Sequence, residues 1–111
     1  MTWYLSGPLS GDYKRNKAAM LSATTRLRAA GLTIVSPLEV SPDETLTWEE
    51  HMRLDIAALM RCDGIIMLSG WPQSRGAVIE RELAEKLGIR VIVGVDLDEL
   101  CRMLTGLQSN R

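Results

Sequence analysis

The chain has 111 residues, of which 46% are hydrophobic and 24% are charged, and its formal net charge is −1. This length and composition predict one domain over residues 1–111, large enough to enclose a core, and exclude a disordered chain. Thirteen basic and fourteen acidic side chains leave no excess positive charge for a nucleic-acid backbone or an anionic membrane. We therefore expect neither a nucleic acid polymer nor a membrane among the partners.

The cysteine content and the lengths of the apolar runs argue against a disulfide-rich, zinc-binding or membrane-spanning protein. Cys62 and Cys101 are too few for a disulfide framework, and neither lies in a CxxC pair or near a histidine. We therefore expect free thiols and no metal site. No apolar stretch approaches the ~18 residues of a membrane-spanning helix, and the first residues lack the basic and apolar regions of a signal peptide. The sequence predicts a cytoplasmic location.

The first half of the chain alternates short strand-like runs with a helical stretch. Residues 3–6 form an apolar run closed by Gly7-Pro8, which predicts the first strand. Residues 12–30 predict a helix with a stripe of apolar or small residues at positions 19, 23, 27 and 30, stopped by Gly31. Residues 32–35 predict the second strand, and residues 36–46 predict a long loop of the kind that is often functional.

The second half continues the alternation. Thr47 and Glu50 have the spacing of a capping box, which predicts a helix through Met60. The nearly continuous apolar run 64–68 predicts a strand covered on both faces. Ser74 is placed to cap a helix that runs through Leu87, and a fourth strand at 91–93 and a last helix at 96–104 follow.

This order of elements, βαβαβαβα, predicts a three-layer, doubly wound α/β fold of the Rossmann or flavodoxin type. About four parallel strands are expected in the order 2-1-3-4. Ligands bind such sheets beyond the carboxyl ends of the strands, where the strand order switches. Three segments should converge there and build the site, namely Ser6–Asp12, Ser36–Leu46 and Ser69–Glu80.

The first candidate motif is the loop from Ser6 to Asp12. Its two glycines allow a tight turn, and backbone N–H groups at a helix start can hold an anion. The loop lacks GxGxxG spacing and the GK[ST] end of a phosphate-binding loop. From the residues alone it is either a binding loop or a plain strand-to-helix turn.

The second motif begins the helix after the third strand. Gly76 in its first turn allows close backbone approach, and Glu80 shares a face with Ala77 and Ala84. A carboxylate on such a core-side face is costly unless another group pairs with it. Glu80 is therefore either a functional carboxylate or a partly exposed glutamate near the helix end.

The third motif is Asp55, which interrupts the apolar positions of its helix, with His51 one turn earlier on the same face. A single histidine is as readily a packing or capping residue, and Asp63 is interpreted as a structural turn residue. Carboxylates flanking one pocket suit displacement at an acetal carbon, where one attacks or stabilises a cation and another moves a proton. Several other chemistries remain open on the pattern alone.

Taken together, four segments resemble the nucleoside 2-deoxyribosyltransferase superfamily. The resemblance is closest to small phage and bacterial proteins in a branch of unknown function, and more distant to the 2′-deoxynucleoside 5′-monophosphate N-glycosidases. It covers nearly the whole chain and is carried by residues 4–11, 48–56, 62–71 and 74–80. It implies the same doubly wound fold and an activity at an N-glycosidic bond.

The resemblance also implies roles for individual residues. Glu80 would be the nucleophile that attacks C1′ of the deoxyribosyl group and forms a glycosyl-enzyme intermediate. Asp55 would hold the sugar hydroxyl or assist protonation of the leaving base. Ser74 matches a position that contacts the 5′-phosphate in the nucleotide-cleaving branch, and Tyr4 and Gly7 match the pocket at the first strand.

The remaining members of the expected substrate-binding set are Ser10, Gly11, His51, Trp71 and Gly76. Ser10 stands where the nucleotide branch has an arginine, so a phosphate contact is lost. The Trp71 indole would either stack on a base or pack on its own domain. Glu82 stands where relatives often have a glycine and would narrow the site.

Three functions are weighed. The first is an enzyme that cleaves or transfers the N-glycosidic bond of a nucleoside or nucleoside 5′-monophosphate without a cofactor. The alternative is a non-catalytic module that binds a nucleotide or nucleotide derivative, and the third is a structural protein. The resemblance implies a homodimer or higher homo-oligomer. Trp48, Met52 and Met60 would offer apolar surface for it, or would belong to the core of one subunit.

Overall fold

A computed structural model of the chain describes residues 1–94 and 96–109, with side chains as far as residue 103. The predicted alternation of strands and helices is confirmed. A one-turn helix inside the expected long loop was not predicted, and it forms because Pro37 occupies its first position and the Ser36 side chain accepts from the Leu38 N–H. The elements are β1 (Thr2–Ser6), α1 (Tyr13–Ala29), β2 (Thr33–Val35), α2 (Pro37–Val40), α3 (Trp48–Leu59), β3 (Gly64–Met67), α4 (Arg75–Lys86), β4 (Arg90–Val93) and α5 (Leu97–Ser109).

The four strands form one parallel sheet in the order β2-β1-β3-β4, as predicted. Tyr4 in β1 pairs with Val35 of β2 and Ile65 of β3, so β1 lies at the centre of the sheet. Successive side chains of a strand point to opposite faces. Tyr4 and Ser6 therefore share one face, and Trp3 and Leu5 share the other.

Each face of the sheet is covered by helices, which gives the three layers. On one face Trp3 and Leu5 pack in a buried cluster with α1 and with Leu100 of α5. On the other face Tyr4 and Ile65 pack with residues of α3 and α4, including Leu59, Ala77 and Ala84. The second face is the one that carries the site described below.

Two local predictions are tested by the helix contacts. The capping box of α3 is present, since the Glu50 N–H donates to Thr47 Oγ1 (3.1 Å) and the Thr47 N–H donates to Glu50 Oε1 (3.0 Å). In α1 the predicted stripe is wrong in part, because Ala19 is exposed and the buried positions are Met20, Ala23, Thr24 and Leu27. The longer Met20 side chain buries more apolar area than Ala19.

Within the described residues, no helix is both long and apolar enough to cross a membrane.

Candidate active site

A cavity of about 410 Å³ opens where the carboxyl ends of the central strands meet α3 and α4. Its lining includes Gly7 after β1, Pro37 after β2 and Ser74 after β3. This volume lies in the range of small-molecule sites, and the position is the expected switch point of the sheet. All three segments predicted to converge contribute to the lining, and α3 adds a wall of its own.

Glu80 is held at the inner end of this cavity by two hydroxyl groups. Its residue surface is only 5% exposed. Tyr4 donates from its phenol to Glu80 Oε2 (2.7 Å), and Ser6 donates from its hydroxyl to Oε1 (2.7 Å). Because Tyr4 and Ser6 lie two residues apart on β1, one strand fixes both carboxylate oxygens. The alternative of a partly exposed glutamate is therefore excluded.

Burial dominates the ionisation of this carboxyl group. The pKa of Glu80 is raised to about 7, mainly by desolvation and in smaller part by the charge of Asp55, while the hydrogen bonds from Tyr4 and Ser6 oppose the rise. The pKa of Tyr4 is raised well above its usual value, first by burial and then by the charge of Glu80, so the phenol stays a neutral donor. Carboxyl groups whose pKa is tuned towards neutrality are typical of acid–base and nucleophilic sites.

A second buried carboxylate, Asp55, lies on the α3 wall and is 7% exposed. Ser41 donates to Asp55 Oδ1 (2.8 Å), and His51 Nδ1 lies 3.0 Å from the same Ser41 hydroxyl. Burial raises the pKa of Asp55, whereas the Ser41 hydrogen bond and the charge of His51 lower it. The predicted pair of Asp55 and His51 on one helix face is thus joined through a serine from the preceding loop.

The start of α4 forms another part of the wall. The Ser74 side chain caps the helix by accepting from the Ala77 N–H (3.2 Å). A methyl group at Gly76 would lie 3.0 Å from Met52 Sδ, so glycine allows α3 and α4 to approach here. On this wall the Arg75 guanidinium stacks 3.9 Å from the centre of the Trp48 ring.

The loop before α3 is fastened to α1 along the rim. Tyr13 OH (3.0 Å) and Lys17 Nζ (2.9 Å) both donate to Glu44 Oε1, and Tyr13 and Glu44 line the cavity. Among the described lining residues, three carry a carboxylate and none is a lysine or an arginine. The cavity is therefore acidic, which disfavours an anionic group unless backbone N–H groups or hydroxyls receive it.

Most of the predicted site residues line this one cavity. They are Tyr4, Gly7, Ser10, His51, Asp55, Ser74, Gly76 and Glu80. Gly11 does not line it and lies in the turn before α1. Glu82 is exposed and does not narrow the site.

Trp71 was expected to lie near the pocket, and it does not line it. Its indole packs beside the buried cluster under α4, with the Arg81 guanidinium 4.6 Å from the ring centre. The cause is a 3-10 turn over Trp71–Gln73, which follows Gly70 in the left-handed region (φ 86°) and turns the indole away from the cavity. The Trp71 indole thus packs on its own domain, and the indole that lines the cavity is that of Trp48.

Four residues with polar side-chain contacts in or beside the cavity were not predicted individually as site residues. They are Ser6, Tyr13, Ser41 and Glu44. Ser6 could have been predicted, because it lies two residues after the predicted site residue Tyr4 and therefore shares its strand face. Ser41 and Glu44 lie in the long loop, where no periodicity indicates which side chains turn inward.

Comparisons with known proteins agree with this architecture. Residues 1–93 match the family described as "Domain of unknown function (DUF4406)". A 2-deoxyribosyltransferase from the psychrotolerant bacterium Bacillus psychrosaccharolyticus has a similar structure, with a TM-score of 0.66 and 21% identity over 84% of this chain and 71% of that one. The CMP N-glycosidase BcmB of Clostridium botulinum superimposes with a TM-score of 0.59 and 16% identity, over 94% of this chain and 98% of that one.

Comparison with curated proteins gives no match. At these identities the two structures establish the fold. The chain therefore belongs to the DUF4406 family and has the fold of the nucleoside deoxyribosyltransferase-like superfamily.

Proposed function

We propose that this protein cleaves or transfers the N-glycosidic bond of a nucleoside or nucleoside 5′-monophosphate, with Glu80 as the nucleophile. The observation that carries the proposal is the buried Glu80 carboxyl, held by Tyr4 and Ser6 at the inner end of a cavity that contains a second carboxyl group. The two solved structures of similar fold bear the names of a deoxyribosyltransferase and an N-glycosidase, which supports the same bond type.

Glu80 suits attack at an acetal carbon for two physical reasons. Hydrogen bonds from Tyr4 and Ser6 fix the orientation of its carboxylate, so little reorganisation precedes the attack. Its pKa of about 7 leaves a large ionised fraction at neutral pH. As a Glu80 oxygen bonds to C1′, the C1′–N bond breaks and its electron pair passes to the departing base.

Asp55 is proposed to assist departure of the base or to hold the sugar hydroxyl. Burial raises its pKa, which increases the fraction that can donate a proton. In the second half of the reaction, water or a second base would attack C1′ and release Glu80. No metal or organic cofactor is needed for these steps, because two carboxyl groups supply both the nucleophile and the proton.

The charges of the cavity favour a nucleoside over its 5′-monophosphate. Glu44, Asp55 and Glu80 contribute carboxyl groups, and no described lining residue is a lysine or an arginine. Ser10 occupies the position where the resemblance to the nucleotide branch would require an arginine. A 5′-hydroxyl needs only hydrogen bonds, which the backbone near Gly7 and the start of α4 can donate.

Base release tests the proposal. The purified protein is incubated with matched nucleosides and 5′-monophosphates, with and without a second free base, and the products are separated by chromatography. Glu80→Gln is the test variant, and Glu82→Gln, an exposed glutamate two residues along the same helix, is the matched control. We expect base release by the wild type and by Glu82→Gln only. Equal release by Glu80→Gln would refute the nucleophile.

The alternative is a binding module without turnover. It is favoured by the fact that both Glu80 oxygens already accept a hydroxyl hydrogen bond, which lowers their nucleophilicity. Calorimetric binding of a nucleoside or nucleotide that stays intact after long incubation would support this alternative. Cleavage of the same ligand would exclude it.

We also propose that the protein forms a homodimer through the groove between α3 and α4. The groove is mainly apolar, with Trp48, Met52 and Ile56 along it. Glu49 and Arg53 flank it four residues apart, so two antiparallel copies of α3 would place opposite charges together. Light scattering should give twice the 12.3 kDa of one chain. A mass of one chain at working concentration would overturn the dimer.

A further inference from the structure

The hydroxyl group of Ser41 has more hydrogen-bond partners than it can serve at one time. Its Oγ lies 2.8 Å from Asp55 Oδ1, 3.2 Å from the Pro37 carbonyl oxygen and 3.0 Å from His51 Nδ1. A hydroxyl has one proton to donate and can accept two hydrogen bonds. When His51 carries its proton on Nδ1, this hydroxyl accepts from His51 and donates either to Asp55 or to Pro37.

These two arrangements match the two protonation states of Asp55. When Asp55 is ionised, the Ser41 hydroxyl donates to Oδ1 and accepts from the His51 Nδ1–H. When Asp55 is protonated, its own O–H donates to Ser41 Oγ, and the serine proton turns towards the Pro37 carbonyl. Every polar group of the set keeps a partner in both states, and no heavy atom has to move.

We propose that Ser41 is a positioning residue that enables Asp55 to donate a proton to the departing base, by turning its hydroxyl proton from Pro37 to Asp55. This inference rests on the proposed function. In the step, the Asp55 O–H bond breaks, an N–H bond forms on the base, and the electron pair of the C1′–N bond becomes the lone pair that takes the proton. The Ser41 O–H bond rotates and does not break.

The surroundings of Asp55 make this support necessary. The titratable groups around it are His51 on α3, Tyr4 on β1 and Glu80 on α4, and its charge raises the pKa of both Tyr4 and Glu80. None of the ion pairs in the described part of the chain involves Asp55. A carboxylate newly formed by proton donation would be buried beside Glu80 without a lysine or arginine partner, so the Ser41 hydroxyl and His51 are its stabilising contacts.

The test compares Ser41→Ala with Ser41→Thr, which keeps the hydroxyl. Ser36→Ala is the matched control, because Ser36 is also buried and caps the other end of the same one-turn helix. The carboxyl carbon of Asp55 is titrated by NMR without substrate. His51, the only histidine of the chain, provides a second, unambiguous resonance that senses the same ionisation.

We expect Ser41→Ala to raise the pKa of Asp55 by about one pH unit, because a carboxylate loses a hydrogen bond of typical strength. The kcat should fall about 10-fold, because the proton donor loses the hydroxyl group that orients it. Ser41→Thr, which keeps the hydroxyl group, should restore both the pKa of Asp55 and kcat. Ser36→Ala should lower the unfolding temperature and leave the Asp55 titration and kcat unchanged.

Two results would overturn the inference. One is an Asp55 titration that is unchanged in Ser41→Ala, and the other is an equal displacement in Ser36→Ala, which would indicate a purely structural effect. If no variant, including the wild type, releases a base, the proposed function fails. The NMR titration still decides in that case whether Ser41 and His51 control the ionisation of Asp55.

Discussion

Replacing Glu80 by glutamine should stabilise the protein at alkaline pH, because it removes the cost of ionising a buried carboxyl group. The pKa of Glu80 is about 7 in the folded protein against 4.5 for an ordinary glutamate. Between these values the folded state holds a proton that the unfolded state has released. Stability is therefore highest below about pH 4.5 and falls as pH rises to about 7, by a total of about 3 kcal/mol.

Denaturant unfolding at about pH 5 and about pH 8 measures this quantity directly. Glutamine keeps the shape of the side chain, and its amide can accept from one of Tyr4 and Ser6 while it donates to the other. The wild type should lose about 2.5 kcal/mol more than Glu80→Gln between the two pH values, because part of the total loss has already occurred at pH 5. The ionisation of Asp55 contributes to the pH dependence of unfolding in both proteins, so its contribution largely cancels in the difference between them. If the unfolding free energies of the two proteins changed by the same amount between these pH values, the argument that Glu80 is destabilising when ionised in its buried position would be refuted.

Three further predictions concern single contacts. The kcat/KM of the wild type should rise with pH through about 7 as Glu80 ionises, and Tyr4→Phe should move this acidic limb upward by about one pH unit, because the carboxylate loses a donor. An acidic limb at the same pH in Tyr4→Phe and the wild type would contradict a role of the Tyr4 hydrogen bond in the ionisation of Glu80. Trp48→Leu should raise KM about 10-fold, because the cavity loses its aromatic wall, whereas Trp71→Leu should lower stability and leave KM unchanged; steady-state kinetics separates them. Thr47→Ala should cost about 1 kcal/mol of unfolding free energy by removing the capping box, and a loss near zero would show that the cap is dispensable.

The strand order was predictable because the chain alternates strands and helices and because residues 64–68 are apolar without interruption. Parallel strands with helical crossovers admit few topologies, and a strand buried on both faces belongs at the centre of the sheet. The convergence of three loops at the switch point followed from the same rule. Glu80 and Asp55 could be singled out as candidates because each carboxylate interrupts an apolar or small-residue face of its helix. The pattern left a partly exposed Glu80 open, and the roles of both residues came from the family resemblance.

The orientation of individual side chains was much harder to predict. The sequence analysis placed the Trp71 indole near the expected site, and its position depends on a 3-10 turn after Gly70 that no hydrophobic pattern encodes. The role of Ser41 depends on how closely its loop approaches α3, which is a tertiary contact between residues fourteen positions apart. Periodicity predicts which face of a regular element is buried, and a loop has no such period.

The central claim is that Glu80 forms a covalent bond to the sugar. Intact-protein mass spectrometry on a sample quenched in acid during turnover of a nucleoside tests it most directly, followed by digestion to locate the added mass. We expect an increment equal to one pentosyl or deoxyribosyl group, carried by the peptide that contains Glu80 and absent from Glu80→Gln. Base release that continues in Glu80→Gln, with no added mass in the wild type, would contradict the claim.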